Sequence, residues 1–287
     1  MNAAEAFACS REKGENLMSI LHAVIYGIIQ GITEFLPVSS TAHLQITAWF
    51  TGWQDFAQDA AIHNTFDLAL HLGTAFAVIG FFFKDWLKLI SKGVTAPKSS
   101  DGKLFWILVI SVIPAAVGGL LFSEYFDRFV TIPVIGVTLI VMGIVLYLAD
   151  KYGKKTTDLH QINAKTGLLI GLSQLVAMIP GTSRSGITIS TGRALGVKRE
   201  SAARFTFLLA APTILGDALY HLLKSYKDII SGNYIVPFLV GIATSAIVGA
   251  LVIKFLLDLL KKHGFGGFAI YRAALGAAVL ICSYFIR

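Results

Sequence analysis

"TEFLPVSSTAHLQIT", residues 33–47, breaks into one apolar run, and "VAMIPGTSRSGITIS", residues 176–190, breaks into another. Each stretch centres on a Pro followed by hydroxyl side chains. The first adds Glu34 and His43, the second Arg184. Pro ends or kinks a helix, so each stretch divides its surroundings into short pieces: residues 20–36 and 43–50 about the first, 167–179 and 186–195 about the second. A helix needs about 20 apolar residues to cross a bilayer, and none of these pieces reaches that length. The simplest solution is a re-entrant helical hairpin that enters, turns at the polar stretch and leaves on the same side. Non-helical backbone is tolerated at that depth where protein or a water-filled cavity surrounds it.

Working outward, six longer apolar segments remain: residues 66–83, 104–122, 132–149, 205–222, 235–257 and 268–286, the fourth interrupted by Pro212 and Asp217. Composition agrees. The chain has 287 residues, 55% of them hydrophobic and only 14% charged, against about 25% charged in an ordinary soluble domain. Its 27 Gly suit close helix packing in lipid. The net charge of +7 does not indicate nucleic acid, because the basic residues sit in short loops between apolar runs and form neither groove nor arm. Two cysteines, Cys9 and Cys282, make no disulfide framework and stand apart from the polar stretches. Residues 1–17 are polar, lack the features of a signal peptide and are expected to be a disordered or dispensable tail ahead of a natural start at Met18.

The two halves of the chain resemble one another. Pro37 pairs with Pro180, "FDLALHLGTAFAVIG" from Phe66 with "FTFLLAAPTILGDAL" from Phe205, and "AAVGGL" from Ala115 with "AIVGAL" from Ala246. Each half supplies one hairpin and three full crossings, and an odd number of crossings inverts the second half against the first. The expected fold is an all-α integral membrane protein: an inverted-topology repeat with six full transmembrane helices and two re-entrant helical hairpins. It forms a single membrane domain over residues 18–287, with repeat 1 at about 18–150 and repeat 2 at about 165–287. Such repeats place a binding site near the midplane, at broken helices. In this topology most of the 24 Lys and Arg fall on one side, which is then the cytoplasmic side. Both termini face outward, and the tips of the two hairpins meet.

At the first tip, Gln30 and Glu34 are four residues apart on one helical face. Ser39 or Ser40 caps the helix after Pro37, and Ser40 and His43, three apart, share a face. Hydroxyl, imidazole and carboxylate together are the parts of an activated nucleophile. At the second tip, Gly181 allows close backbone approach. Ser183, Arg184, Ser185 and, one turn on, Thr188 describe an anion site, with a planar guanidinium suited to phosphate. Two half-helix N-termini would favour the same negative ligand. A Ser or Thr in a membrane helix ordinarily bonds a backbone carbonyl, whereas an intramembrane Glu or Arg is functional by default. Asp67 and His71 are read as bridging to neighbouring helices, Asp217, Tyr220 and His221 as interfacial, and Arg272 as snorkelling to the cytoplasmic face.

"QGITEFLPVSSTAH", residues 30–43, and "PGTSRSGIT", residues 180–188, closely resemble the two motifs of the undecaprenyl-diphosphate phosphatase family, the integral-membrane type linked to bacitracin resistance. The similarity runs from about Met18 to the C-terminus and includes "FAIYR", residues 268–272. The element of the type 2 phosphatidic acid phosphatases is not met, since the sixth residue after Arg184 is Ser190 rather than His. The resemblance implies hydrolysis of undecaprenyl diphosphate to undecaprenyl phosphate and inorganic phosphate in the bacterial inner membrane, with the site open to the outer face. It implies Ser40, His43 and Glu34 as catalytic residues, and Arg184, Ser183, Ser185, Thr188, Ser39 and Thr41 as phosphate-binding residues. It also implies a divalent cation, Mg or Ca, at Glu34 and Gln30. Many members carry Glu where this chain has Gln30, so a two-carboxylate cation site is not available here. Ser40, Ser39 and water all remain open as nucleophile. The partners expected are a polyprenyl diphosphate lipid and the bilayer, with a homodimer allowed. A lipid-phosphate transporter or flippase of the same architecture is the second reading.

Overall fold

The computed structural model describes residues 19–53, 60–127, 130–231 and 234–285; the expected tail, residues 1–17, lies outside them. Eleven α-helices are found among the described residues. The first half holds α1 (Ile20–Phe35), α2 (Ser40–Thr51), α3 (Ala60–Phe81), α4 (Phe83–Thr95), α5 (Ser100–Asp127) and α6 (Ile132–Tyr152). The second holds α7 (Ala164–Ser173), α8 (Arg184–Ala194), α9 (Arg199–Ser231), α10 (Ile235–Leu260) and α11 (Gly266–Phe285). No strand forms among the described residues beyond one isolated bridge between Thr157 and Val197.

Among the described residues five helices are long and apolar enough to cross a membrane, and the pair α3–α4, bent by 72°, makes a sixth if it is one span. Their outer faces carry exposed Leu120, Ile247, Leu251 and Ile270, as expected where lipid is the solvent. By contrast α1, with 16 residues, rises only about 24 Å, and α7 is shorter still. Apolar helices thus lie where the six apolar segments placed them, and both polar stretches join short helices.

Helix α4 departs from the sequence reading, which left Lys84, Lys88 and Lys92 in a loop. Here they lie on a helix whose other exposed side chains include Phe83, Leu87, Ile90 and Val94. Its apolar residues recur at helical spacing, but the run continues so directly from α3 that hydropathy alone does not reveal the bend. The interfacial placement expected of His221 concerns a side chain outside the described residues.

Small residues set the helix seams. A side chain on Gly27 would meet Thr244, one on Gly31 would meet Val248, and one on Gly73 would collide with Ser245 Oγ and the Ile242 carbonyl; α10 therefore lies directly against α1 and α3. Between α6 and α11, Gly136 and Gly276 face each other in the same way. Partners are exchanged between the halves. α1 and α3 pack on α10, α7 and α9 pack on α5, α3 packs on α9, and α6 on α11. The aromatic contact of Phe35 with Phe207, ring centroids 5.4 Å apart, joins α1 to α9 within the largest apolar core.

One end of the bundle collects charge. Asp150, at the end of α6, accepts from Arg193 Nε (2.9 Å), from Arg199 Nε and Nη2 (2.8 and 2.9 Å) and from the Phe265 backbone N–H (3.2 Å). Arg193, near the end of α8, is fully buried in this cluster. Lys198 pairs with Asp158, and Lys88 of α4 pairs with Asp101 of α5.

Gly73→Leu is expected to lower stability by more than about 2 kcal/mol through overpacking, read as a fall in the thermal unfolding midpoint in detergent. Gly80→Leu, at a position with open space around it, should leave that midpoint unchanged.

Candidate functional site

The two polar stretches share one backbone design. Leu36 before Pro37 is extended (φ −70°, ψ 142°), and so is Ile179 before Pro180 (φ −71°, ψ 122°), because a Pro ring disfavours helical geometry in the residue ahead of it. The chain then turns through Ser39 (φ 76°) and Ser183 (φ 77°), the only non-glycine residues with positive φ among those described. Such a backbone costs on the order of 1–3 kcal/mol. Each Ser partly offsets this by capping the helix it starts: Ser39 Oγ accepts from Ala42 N (3.4 Å), and Ser183 Oγ from Gly186 N (3.0 Å). Ser39 and Ser183 are therefore equivalent, as are the next residues, Ser40 and Arg184. The additional residue in the second turn is accommodated by Gly181 (φ 87°), where a Cβ would collide with Thr138 Oγ1; that hydroxyl lies 2.6 Å from the Pro180 carbonyl.

Both turns open into one polar cavity of about 140 Å³. Its walls include Glu34, Ser39, Ser40 and Thr41 from the first tip, Pro180, Gly181, Ser183 and Arg184 from the second, and His71 from α3. Glu34 Oε2 is its focus. It accepts from Ser40 Oγ at 2.6 Å and from Gln30 Nε2 at 3.0 Å, and His71 Nε2 stands 3.4 Å away. Arg184 reaches Thr213 Oγ1 at 3.4 Å. The C-terminal turn of α1 separates this cavity from an apolar groove of about 770 Å³, lined by Ile32, Leu36, Val38, Leu259, Phe268 and Tyr271 among others.

Other expected site residues stand beside the cavity, in supporting bonds. His43 Nδ1 lies 2.7 Å from the Ser39 carbonyl and its Nε2 2.7 Å from Tyr271 Oη, with the two rings stacked. The shared helical face of Ser40 and His43 thus produces no bond between them, because Ser40 turns to Glu34. Ser185 Oγ is 3.1 Å from the Glu34 and Leu36 carbonyls and from Ser183 Oγ, which ties one tip to the other. Thr188 Oγ1 donates to the Arg184 carbonyl at 2.8 Å and accepts from Thr206 at 3.0 Å.

Two residues were assigned other places from sequence. His71, read as a bridge between helices, is a wall of the cavity, because α3 packs on α9 and α10 and turns this residue toward α1. As an intramembrane ionisable side chain it belonged with Glu34 from the start. Arg272, read as snorkelling outward, is fully buried. Its Nη2 donates to the Gly181 and Thr182 carbonyls (2.9 and 3.0 Å), Nη1 to the Pro37 carbonyl (3.0 Å) and Nε to the Leu139 carbonyl (3.3 Å). The signal was present in the lack of a neighbouring carboxylate and in the freed carbonyls that two interrupted helices must leave.

Comparison with known proteins adds the family. The model of the bacitracin resistance protein BacA family matches residues 23–278. The chain is 42% identical over 271 residues to the undecaprenyl-diphosphatase of Moorella thermoacetica, covering 94% of this chain and 100% of that protein. It is 44% identical over 265 residues to the undecaprenyl-diphosphatase of Pelotomaculum thermopropionicum, covering 92% and 97%.

Arg272→Lys keeps the charge but not the fork of donors, so buried carbonyls of both turns are left unpaired at about 1–3 kcal/mol each. A clear drop in unfolding midpoint is expected, measured beside Lys261→Met, which removes only an exposed pair with Asp258 and should have no effect.

Proposed function

The chain belongs to the bacitracin resistance protein BacA family, and from that premise we propose that it is an undecaprenyl-diphosphatase: it hydrolyses undecaprenyl diphosphate to undecaprenyl phosphate and inorganic phosphate, recycling the lipid carrier of cell-wall synthesis. The observation that carries the reading is the hydrogen bond of Ser40 to Glu34, 2.6 Å long, in a cavity that also holds Arg184 and the starts of α2 and α8. A transporter of lipid phosphate needs an anion site but no hydroxyl held on a carboxylate, so hydrolysis accounts for more of the geometry.

The terminal phosphate enters between the tips, while the isoprenoid chain stays on the apolar side of α1. Arg184 and the free N–H groups at the two helix starts take its non-bridging oxygens. Ser40 Oγ attacks phosphorus as Glu34 takes its proton. The lipid phosphate leaves, and water then releases phosphate from Ser40. His43, through the Ser39 carbonyl and Tyr271, positions the turn that presents Ser40. Ser39 is occupied as a cap, which favours Ser40 over its neighbour as nucleophile.

The divalent cation implied by the family resemblance fits the donors present. Glu34 offers a carboxylate, and Gln30 Oε1 is buried without a partner. No group of three or more His, Cys, Asp and Glu able to hold a metal forms among the described residues, so substrate oxygens and water would complete the shell, as is usual for Mg. When bound, such a cation neutralises charge on the diphosphate.

For the topology, the exchange of helix partners between the halves supports an inverted repeat. The gathering of Lys88, Lys198 and Arg199 with Asp101, Asp158 and Asp150 supports a single cationic, cytoplasmic side. The termini and the mouth of the site then face outward across the inner membrane.

Phosphate release from undecaprenyl or farnesyl diphosphate by the purified protein, with and without chelator, tests the reading; no release in the presence of Mg, Ca or Mn would sink it. Ser40→Ala is expected to abolish turnover, and normal turnover would move the attack to water or Ser39. Arg184→Lys should lose roughly 100-fold or more in kcat/KM, because a point charge does not replace bidentate donation to the transferring phosphate.

A further inference from the structure

His71 is a third side chain at the same carboxylate. Its Nδ1 lies 2.8 Å from the Asp67 carbonyl. A carbonyl only accepts, so Nδ1 carries a hydrogen, and in its neutral form the ring presents a lone pair at Nε2. That lone pair faces Glu34 Oε2 at 3.4 Å, and both side chains are mostly buried, 15% and 7% exposed. In that form two acceptor atoms face each other in a buried site, and either a proton on Nε2 or a metal cation between them relieves the repulsion.

Gln30 points to the same centre independently. It is fully buried, and its Nε2 donates to Glu34 Oε2, which fixes the orientation of the amide and leaves Oε1 without a partner. A carboxylate oxygen and an imidazole nitrogen therefore share the cavity, and the unpartnered amide oxygen belongs to the buried residue hydrogen-bonded directly behind that carboxylate. The nitrogen is oriented by a backbone carbonyl on its far side, the outer-sphere arrangement characteristic of metal-binding histidines.

We propose that His71 is a nitrogen ligand of the divalent cation at this site, acting with Glu34 and the Gln30 carbonyl. The mixed donor set favours a transition-metal cation that accepts both imidazole and oxygen over Ca²⁺, which takes oxygen ligands. This adds a third protein donor beside Glu34 and the Gln30 carbonyl, where Gln in place of a second carboxylate leaves the site with one negative charge fewer. The inference rests on the reading of the cavity as a cation-assisted phosphatase site, but it concerns the ligand set alone.

Mn²⁺ added to the full-length protein in detergent micelles is the probe. Electron spin-echo modulation of the bound ion should show coupling to one imidazole nitrogen. The coupling should vanish in His71→Gln, with at least the roughly tenfold loss of Mn²⁺ affinity that even an outer-sphere partner can carry. Affinity for Ca²⁺ should change less, since Gln supplies an oxygen. Bound Mn²⁺ with no nitrogen coupling in the wild-type protein overturns the proposal without any variant, and so does coupling that survives in His71→Gln. Phosphate release measured on the same samples separates the two readings. Hydrolysis without nitrogen coupling refutes the His71 assignment alone, and coupling without hydrolysis refutes the phosphatase reading alone.

Discussion

The structure depends on how two helices are interrupted inside a membrane domain. Each interruption frees carbonyls that no water in the hydrocarbon region can satisfy, and an unpaired carbonyl there is costly. Arg272 meets that need. One guanidinium donates to Pro37, Gly181 and Thr182, which lie in the two turns, and to Leu139 on α6. Arg is the side chain for this task, because its donors form a rigid planar fork and its charge persists when buried. A single residue far along the chain thereby fixes the distance between the two tips, and with it the width of the cavity.

Much of this was legible in the sequence. The two Pro-centred stretches, the long apolar helices and the pairing of Gln30 with Glu34 follow from rules about chain neighbours: Pro disfavours helix in the residue before it, and helical side chains meet at fixed spacing. What was hidden depends on contacts between distant segments. His71 and Arg272 looked like an interhelical bridge and a snorkelling cation, because nothing local showed that α3 and α11 turn them inward. Arg193 showed no local sign of its partner until the fold placed Asp150 beside it. The spacing of Ser40 and His43 was read correctly as one helical face, yet spacing does not say which neighbour wins. Glu34 holds Ser40, and Tyr271 holds His43.

The strain at Ser39 and Ser183 has a use that a relaxed turn would not serve. A positive φ directs the chain sharply into the next helix, so that its first N–H groups open toward the cavity rather than into the bundle. Gly would adopt this geometry at less cost, but it would leave an N–H of the first turn uncapped. Ser accepts the strain and caps that N–H. The remaining free N–H groups and the helix dipole then act together on whatever anion sits between the tips.

Equivalent backbones make the chemical difference between the tips informative. Ser39 and Ser183 occupy the same capping position, so the residues that follow, Ser40 and Arg184, occupy the same first helical position and line the same cavity. Two helix N-termini alone would bind an anion and release it unchanged. Placing a hydroxyl at that position on one tip, within reach of a carboxylate, and a guanidinium at the same position on the other makes the pair unequal: one side can attack, and the other holds the charge that develops. If the halves descend from one sequence, divergence at this single position, with Glu34 and Gln30 one helix earlier, is the step that turns a symmetric anion site into a directional one. The same asymmetry accords with the proposed cation site lying on the Ser40 side. Arg184 already supplies positive charge at its own tip, whereas the first tip brings a carboxylate toward an anionic substrate and needs a positive charge between them.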